Sequence, residues 1–179
     1  IDVKQYKPKL LKGMISKKKN KEIVKYPDFT MENYFPLLFD KYNERLLKDN
    51  LLDFDDLITV TIRLFKEKKD ILDKYRLKFK YVMVDEFQDT NETQYELIKL
   101  IADGNRNIFI VGDQDQSIYS FRGAKVENID LFLKDYKDTQ MILLEQNYRS
   151  TKNILKIANR VISKNSNRIE KNLFTTNEH

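Results

Sequence analysis

"YVMVDEFQDT", residues 81–90, runs four residues suited to a buried strand straight into two adjacent carboxylates, Asp85 and Glu86, with a third at Asp89. Two further short apolar runs follow, at residues 108–111 and 141–144, and helical patterns separate the three. The first helical pattern comes after "DTNETQ", where Asn91 and Gln94 suit a capping box; it buries Tyr95, Leu97, Ile98 and Ile101 and stops at Gly104. The second carries Val126, Ile129, Phe132, Leu133 and Tyr136, and the third, capped by Ser150, carries Ile154, Leu155, Ala158, Val161 and Ile162. Strand and helix alternate three times, which predicts an α/β fold with a parallel sheet flanked by helices.

Upstream, the spacing of Phe35, Leu38, Phe39, Tyr42 and Leu46 predicts an amphipathic helix. "DFDDLITVTIRLFKE", residues 53–67, predicts a second helix with Asp53 as its N-cap. A helical unit therefore precedes the sheet.

With 179 residues, 41% hydrophobic and 12% aromatic, the chain can form one ordinary domain, or one domain with a small appendage. No apolar run approaches membrane-spanning length, and "IDVKQYKPKLLKG" lacks the apolar core of a signal peptide, so the chain reads as soluble and intracellular. There is no cysteine, and the single histidine is His179, which excludes disulfides and argues against zinc held by side chains. Any metal here is a hard cation on carboxylates. The net charge of +5 is concentrated at the start: residues 1–25 hold nine lysines against Asp2 and Glu22. Such a cluster either contacts phosphates without reading sequence or is a solvated face.

In open parallel sheets ligands bind outside the carboxyl ends of the strands. All three expected strands end in polar groups, at residues 85–86, 113–116 and 145–149, which are expected to converge on one rim. On an extended chain Asp85 and Glu86 point to opposite faces, so a division of labour fits: one carboxylate binds Mg²⁺ and the other orients and deprotonates a water attacking phosphorus. Two acids capping the next helix is the plainer alternative.

The second exit, "VGDQDQSIYSFRGA" (111–124), offers Gln116 and Ser117 as phosphate-sensing groups. Tyr119, Phe121 and Arg122 then form either a stacking platform for unpaired bases or part of the core. At the third exit, "LEQNYRST" (144–151), Arg149 can neutralise charge on a transferred phosphoryl group and Tyr148 can stack on a purine, or Arg149 makes an ordinary salt bridge.

Together these segments resemble the UvrD/Rep family of superfamily 1 DNA helicases. "VDEFQDTNETQY" looks like that family's version of the Walker B motif, "VGDQDQSIYSFRGA" like its motif III and "LEQNYRST" like its motif IV; "LLDFDDL" (51–57) and "KNLFT" (171–175) also match. The resemblance covers residues 10–176. It implies a partial RecA-like fold of the P-loop NTPase type, with ATP and Mg²⁺ as cofactors. Asp85 then holds Mg²⁺ and Glu86 activates the hydrolytic water. Gln116 senses the γ-phosphate, Arg149 acts as an arginine finger, and Tyr148 stacks against adenine. Tyr119, Phe121 and Arg122 contact single-stranded DNA; many relatives carry tryptophan where this chain has Phe121, which implies a weaker stack.

A phosphate loop of the form G-x-x-x-x-G-K-[ST] needs two glycines at fixed spacing, and those at 13, 104, 112 and 123 do not supply it. The resemblance therefore implies a segment of a longer helicase. Residues 1–50 correspond to the end of a helical insertion, 51–176 to the second part of the first RecA-like domain, and 177–179 to a tail. By itself such a segment is expected to be inactive, with exposed sheet edges and apolar surface that favour self-association. The parent is expected to be a 3′-to-5′ ATP-dependent helicase of DNA repair or replication. It works on single strands and single/double-strand junctions in the cytoplasm near the nucleoid, with its remaining domains as partners and no membrane. The alternatives are the motor of a recombination helicase-nuclease, or a non-hydrolysing nucleic-acid-binding module that has lost its phosphate loop.

Overall fold

The computed structural model describes residues 5–119, 123–125, 127–165 and 169–177. Pro8 opens helix α1 (Pro8–Lys19), where a missing N–H costs nothing, and Lys17, Lys18 and Lys19 occupy its negatively polarised last turn. Asp28 caps helix α2 (Phe29–Lys48), its carboxylate accepting from the Met31 N–H at 2.8 Å. That cap starts the helix upstream of the apolar pattern at Phe35 and carries Pro36 inside it. Tyr6, Met14, Ile15, Met31 and Phe35 form the core between the two helices.

Helix α3 (Asp56–Glu67) begins later than a cap at Asp53 implies; Asp55 stands at the cap position, but its side chain caps no helix N–H. Asp53 still supplies the capping oxygen, because its carboxylate accepts the Asp56 N–H at 2.9 Å while Asp56 accepts the Asp53 N–H at 3.2 Å. Helix α4 (Lys69–Lys78) follows after Lys68 and leads into strand β1 (Val82–Val84). Helix α5 (Glu92–Ala102) has the expected capping box, Asn91 and Gln94 each accepting the other's N–H, at 2.8 and 2.9 Å. Strand β2 (Ile108–Ile110) lies parallel to β1 in the register Val82 to Ile108, Met83 to Phe109 and Val84 to Ile110. Helices α6 (Glu127–Asp135) and α7 (Lys152–Ile162) complete the order; Val126 lies outside the described residues.

The predicted α/β class is correct, but two further local expectations fail here. Residues 141–144 form no strand: among the described residues the sheet has two strands, and Met141, Ile142, Leu143 and Leu144 are 49, 69, 46 and 77% exposed. β-compatible side chains do not create a strand unless a neighbouring backbone offers a ladder, and only one parallel bridge, Gln146 to Phe174, forms nearby. Nor does Ser150 cap the last helix. Thr151 stands at that position without a side-chain bond, while the Ser150 N–H donates to Asn147 Oδ1 at 2.7 Å.

The second core is aromatic. Phe87, fully buried, meets Tyr95 edge-on at 5.6 Å and Phe132 at 5.7 Å, and Ile129 and Tyr136 close the cluster. It covers one face of the sheet, leaving Met83 and Phe109 open on the other, as are Ile154, Ile157 and Val161 on α7. Exposed apolar surface was expected, and it is extensive. Among the described residues no helix is long and apolar enough to cross a membrane.

A polar clasp joins the helical unit to the rest. The Lys19 side chain, only 5% exposed, sets Nζ 2.7 Å from both Asp53 Oδ2 and Asp56 Oδ1. Tyr42 donates its hydroxyl to Asp53 at 3.0 Å, and Asn20 donates to Asp55 Oδ1 at 2.8 Å. Lys21 and Lys66 share Glu96. Neither a phosphate contact nor a solvated face describes Lys19, whereas Lys7, Lys9, Lys12, Lys18 and Lys25 are exposed.

Candidate active site

The decisive backbone feature is at the end of β1. Glu86 adopts φ 50° and ψ 41°, the left-handed region that side chains other than glycine rarely enter. The turn drops Phe87 and Gln88 into the interior and leaves Asp85 and Glu86 exposed at the rim. The expected alternation of the two acids along an extended chain therefore does not apply, because the turn sets their directions. Asp85 Oδ1 accepts the Glu86 N–H at 2.9 Å.

Gln88, 1% exposed, connects the two strand ends. Its Nε2 donates to Glu86 Oε2 at 2.8 Å, and its Oε1 accepts the Asp113 N–H at 2.9 Å. Asp113 in turn accepts from Gln116 Nε2 at 2.7 Å and from the Asp115 N–H at 3.0 Å. Gly112 permits this approach, since a Cβ there would lie 2.9 Å from Gln88 Oε1. Burial raises the Asp113 pKa, but hydrogen bonds from Lys171 and then Gln116 outweigh it and hold the carboxyl below its ordinary range. Thr90 fastens the same turn to α6, its carbonyl accepting from buried Asn128 Nδ2 at 2.9 Å.

The structure thus brings Asp85, Glu86 and Gln116 into one connected rim. Among the described residues no bond joins the third loop directly to that rim. Asn147 Oδ1 accepts the Arg149 N–H at 3.0 Å, and both Arg149 and Tyr148 are exposed, Tyr148 at 76%. Among the described residues the Arg149 guanidinium has no hydrogen bond or ion pair, and its backbone bond stays within its own loop. Tyr119 is half-buried, and Phe121 and Arg122 lie outside the described residues.

Two residues that the motif reading passed over hold the rim together, Gln88 and Lys171. Gln88 gives no periodic signal because it sits in a 3₁₀ turn, Phe87–Asp89, rather than in a strand or α-helix. Lys171 lies far along the chain and meets Asp113 only through the tertiary fold.

At Asp85 a hard divalent cation would find a single exposed carboxylate, which spends one oxygen on a single backbone N–H. Among the described residues no three His, Asp or Glu side chains converge into a ready cage. A cation there would draw its remaining ligands from phosphate oxygens and water, the habit of Mg²⁺ rather than of Ca²⁺.

A family model described as the UvrD/REP helicase N-terminal domain matches residues 1–137, and one described as the UvrD-like helicase C-terminal domain matches residues 142–179. Among curated proteins, the chain is similar to the ATP-dependent DNA helicase PcrA of Bacillus subtilis, at 47% identity over 99% of this chain and 25% of the relative. The protein of the same name from Leuconostoc citreum is 43% identical over 99% of this chain and 24% of its own length. That from Staphylococcus epidermidis is 46% identical over 99% and 25%. The chain spans about a quarter of the length of the curated relatives it matches.

Proposed function

The chain belongs to the UvrD/REP helicase family, and on that premise we propose that it carries part of the ATP-hydrolysing motor of a DNA helicase. The observation that carries this reading is the hydrogen-bonded path from Glu86 through Gln88 to Asp113 and Gln116. A path of this kind couples a water-activating carboxylate to a phosphate-sensing amide at the ends of neighbouring strands. When bound, Mg²⁺ and ATP supply the phosphoryl group and neutralise its charge.

In this reading Asp85 holds the cation. Gln88 occupies Glu86 Oε2 and so orients the carboxylate, leaving Oε1 to take a proton from the attacking water. Gln116, exposed at the rim, exchanges Asp113 for a phosphate oxygen. Arg149 stabilises charge on the transferred group and Tyr148 stacks against adenine; their exposure supports both roles. Tyr119, with Phe121 and Arg122, contacts the bases of single-stranded DNA. Hydrolysis then drives 3′-to-5′ translocation and unwinding at single/double-strand junctions, in DNA repair or replication near the nucleoid.

The two separate cores support a division of the chain into residues 1–50, the end of a helical insertion, and 51–176, the second part of a RecA-like domain. The second unit lacks the sequence G-x-x-x-x-G-K-[ST], so the chain alone turns over no ATP. The test is Glu86→Gln in the full translation product of the reading frame. ATP hydrolysis stimulated by single-stranded DNA should fall by about 10²–10⁴ while nucleotide binding stays largely intact. A loss of ATP affinity equal to the loss of rate would refute the assigned role. Turnover by the purified chain alone, abolished by the same substitution, would overturn the scheme.

A further inference from the structure

The segment 169–177 touches both rim loops. On one side the Ile169 N–H donates to Gln114 Oε1 at 3.1 Å, and Lys171 Nζ pairs with Asp113 and lies 3.4 Å from Asp115 Oδ2. On the other side the Asn172 N–H donates to the Glu145 carboxylate at 2.7 Å. Phe174 pairs its backbone with Glu145 and Asn147, and Asn177 Nδ2 donates to the Tyr148 carbonyl at 3.0 Å. A single stretch of chain thus straps the loop bearing Gln116 to the loop bearing Tyr148 and Arg149.

Lys171 is the strap's strongest hold on the first loop. Its side chain is 18% exposed, against 23% for Asp113 and 11% for Asp115. The ion pair is therefore largely shielded from water, where a charged hydrogen bond positions its partners more firmly than at an open surface. Asp113 is the side chain that holds the Gln116 amide, at 2.7 Å. Without a cation beside them, Asp113 and Asp115 face each other across one turn, and the carboxylate that aims Gln116 loses its anchor.

We propose that Lys171 is a positioning residue: by pairing with Asp113 it sets the aim of Gln116, and through the strap it fixes the spacing between Gln116 and the Tyr148–Arg149 loop. The functional half of this inference rests on the role proposed above for Gln116; the structural half does not. Lys171 pairs with Asp113 and Asp115, so its effect on Gln116 runs through Asp113 and the strap.

The experiment compares wild type with Lys171→Met and Lys171→Arg. In the purified chain, amide hydrogen exchange at residues 115–117 should speed up at least tenfold in Lys171→Met, with that at Val82 and Val111 unchanged. Lys171→Arg should restore most of the protection. In the full translation product, DNA-stimulated ATP turnover should fall at least tenfold in Lys171→Met, with KM for ATP within twofold, and recover in Lys171→Arg. Unaltered loop exchange overturns the proposal, as does unaltered turnover in an active wild type. Equal loss of protection across both strands means a merely structural role and also overturns it. Should Lys171→Met not fold, Lys171→Gln takes its place under the same criteria. A wild type without turnover refutes the motor reading instead, while the exchange arm still tests the anchor.

Discussion

Gln88→Ala should unsettle the rim more than any exposed substitution in it. The side chain is 1% exposed and makes two good hydrogen bonds, to Glu86 at 2.8 Å and from the Asp113 N–H at 2.9 Å. Truncation orphans the Asp113 N–H, at a cost of about 1–3 kcal/mol. The methylene packing lost adds about 1 kcal/mol. Glu86 is exposed and regains water, so its share is small. The sum is about 2–4 kcal/mol, which at a urea dependence of about 2 kcal/mol per molar moves the unfolding midpoint by about 1–2 M. Far-UV circular dichroism of the chain in urea reads this directly. Gln88→Glu keeps the volume but replaces the donor by a carboxylate between Glu86 and Asp89, so it should be at least as damaging at neutral pH and recover as pH falls toward that group's pKa. A midpoint shift below about 0.3 M for Gln88→Ala would refute the claim that this side chain holds the two strand ends together.

Three further outcomes follow from the same geometry. Gly112→Ala places a methyl 2.9 Å from Gln88 Oε1 and should cost about 1–3 kcal/mol. In a double-mutant cycle with Gln88→Ala the two losses should fall short of additive, because both act on one contact. Lys19→Met leaves Asp53 and Asp56 largely enclosed without their cation and should cost about 3 kcal/mol in the same unfolding assay, with Lys19→Arg milder.

The pH profile should show a plateau with two edges. In Asp53, Glu96 and Asp113 burial raises the pKa, but bonds from lysines outweigh it and leave the folded values depressed. Their stabilisation is present above the unfolded values and disappears as pH falls below about 4. Tyr42, half-buried and bonded to Asp53, is pushed up to about 12, and Tyr95 and Tyr136 are raised for like reasons, burial first and a carboxylate partner second. Their contribution is full below the ordinary tyrosine value and is lost as pH rises beyond about 10. Thermal melts from pH 3 to 11 check both edges, and in Lys19→Met the acid-side loss should shrink, because Asp53 no longer has the partner that lowers its pKa against burial.

Local chemistry in the sequence was enough to place the capping box of α5, the two paired strands and the carboxylates at the end of β1. Each depends on residues close together in the chain: a polar cap beside an apolar period, or an apolar run ending in acids. The same reasoning failed at residues 141–144, because a strand needs a neighbour's backbone and no pattern within the run reports whether one is there. It also misjudged Glu86, since left-handed backbone at a glutamate is imposed by the burial of Phe87 and Gln88 rather than by any local preference. And it could not see that Lys19 is enclosed while its neighbour Lys18 is open, as identical residue types in one run carry no mark of their partners.

By itself the sequence determined the family, the α/β class and which acids stand at the rim, because short motifs of fixed chemistry carry all three. Only the tertiary structure decided how those acids are held. Gln88 joins two strand ends, Lys171 meets Asp113 from 58 residues away, and one strap binds two loops. Such contacts are set by packing between distant segments, and hydrogen-bond geometry over that separation leaves no local trace in the chain.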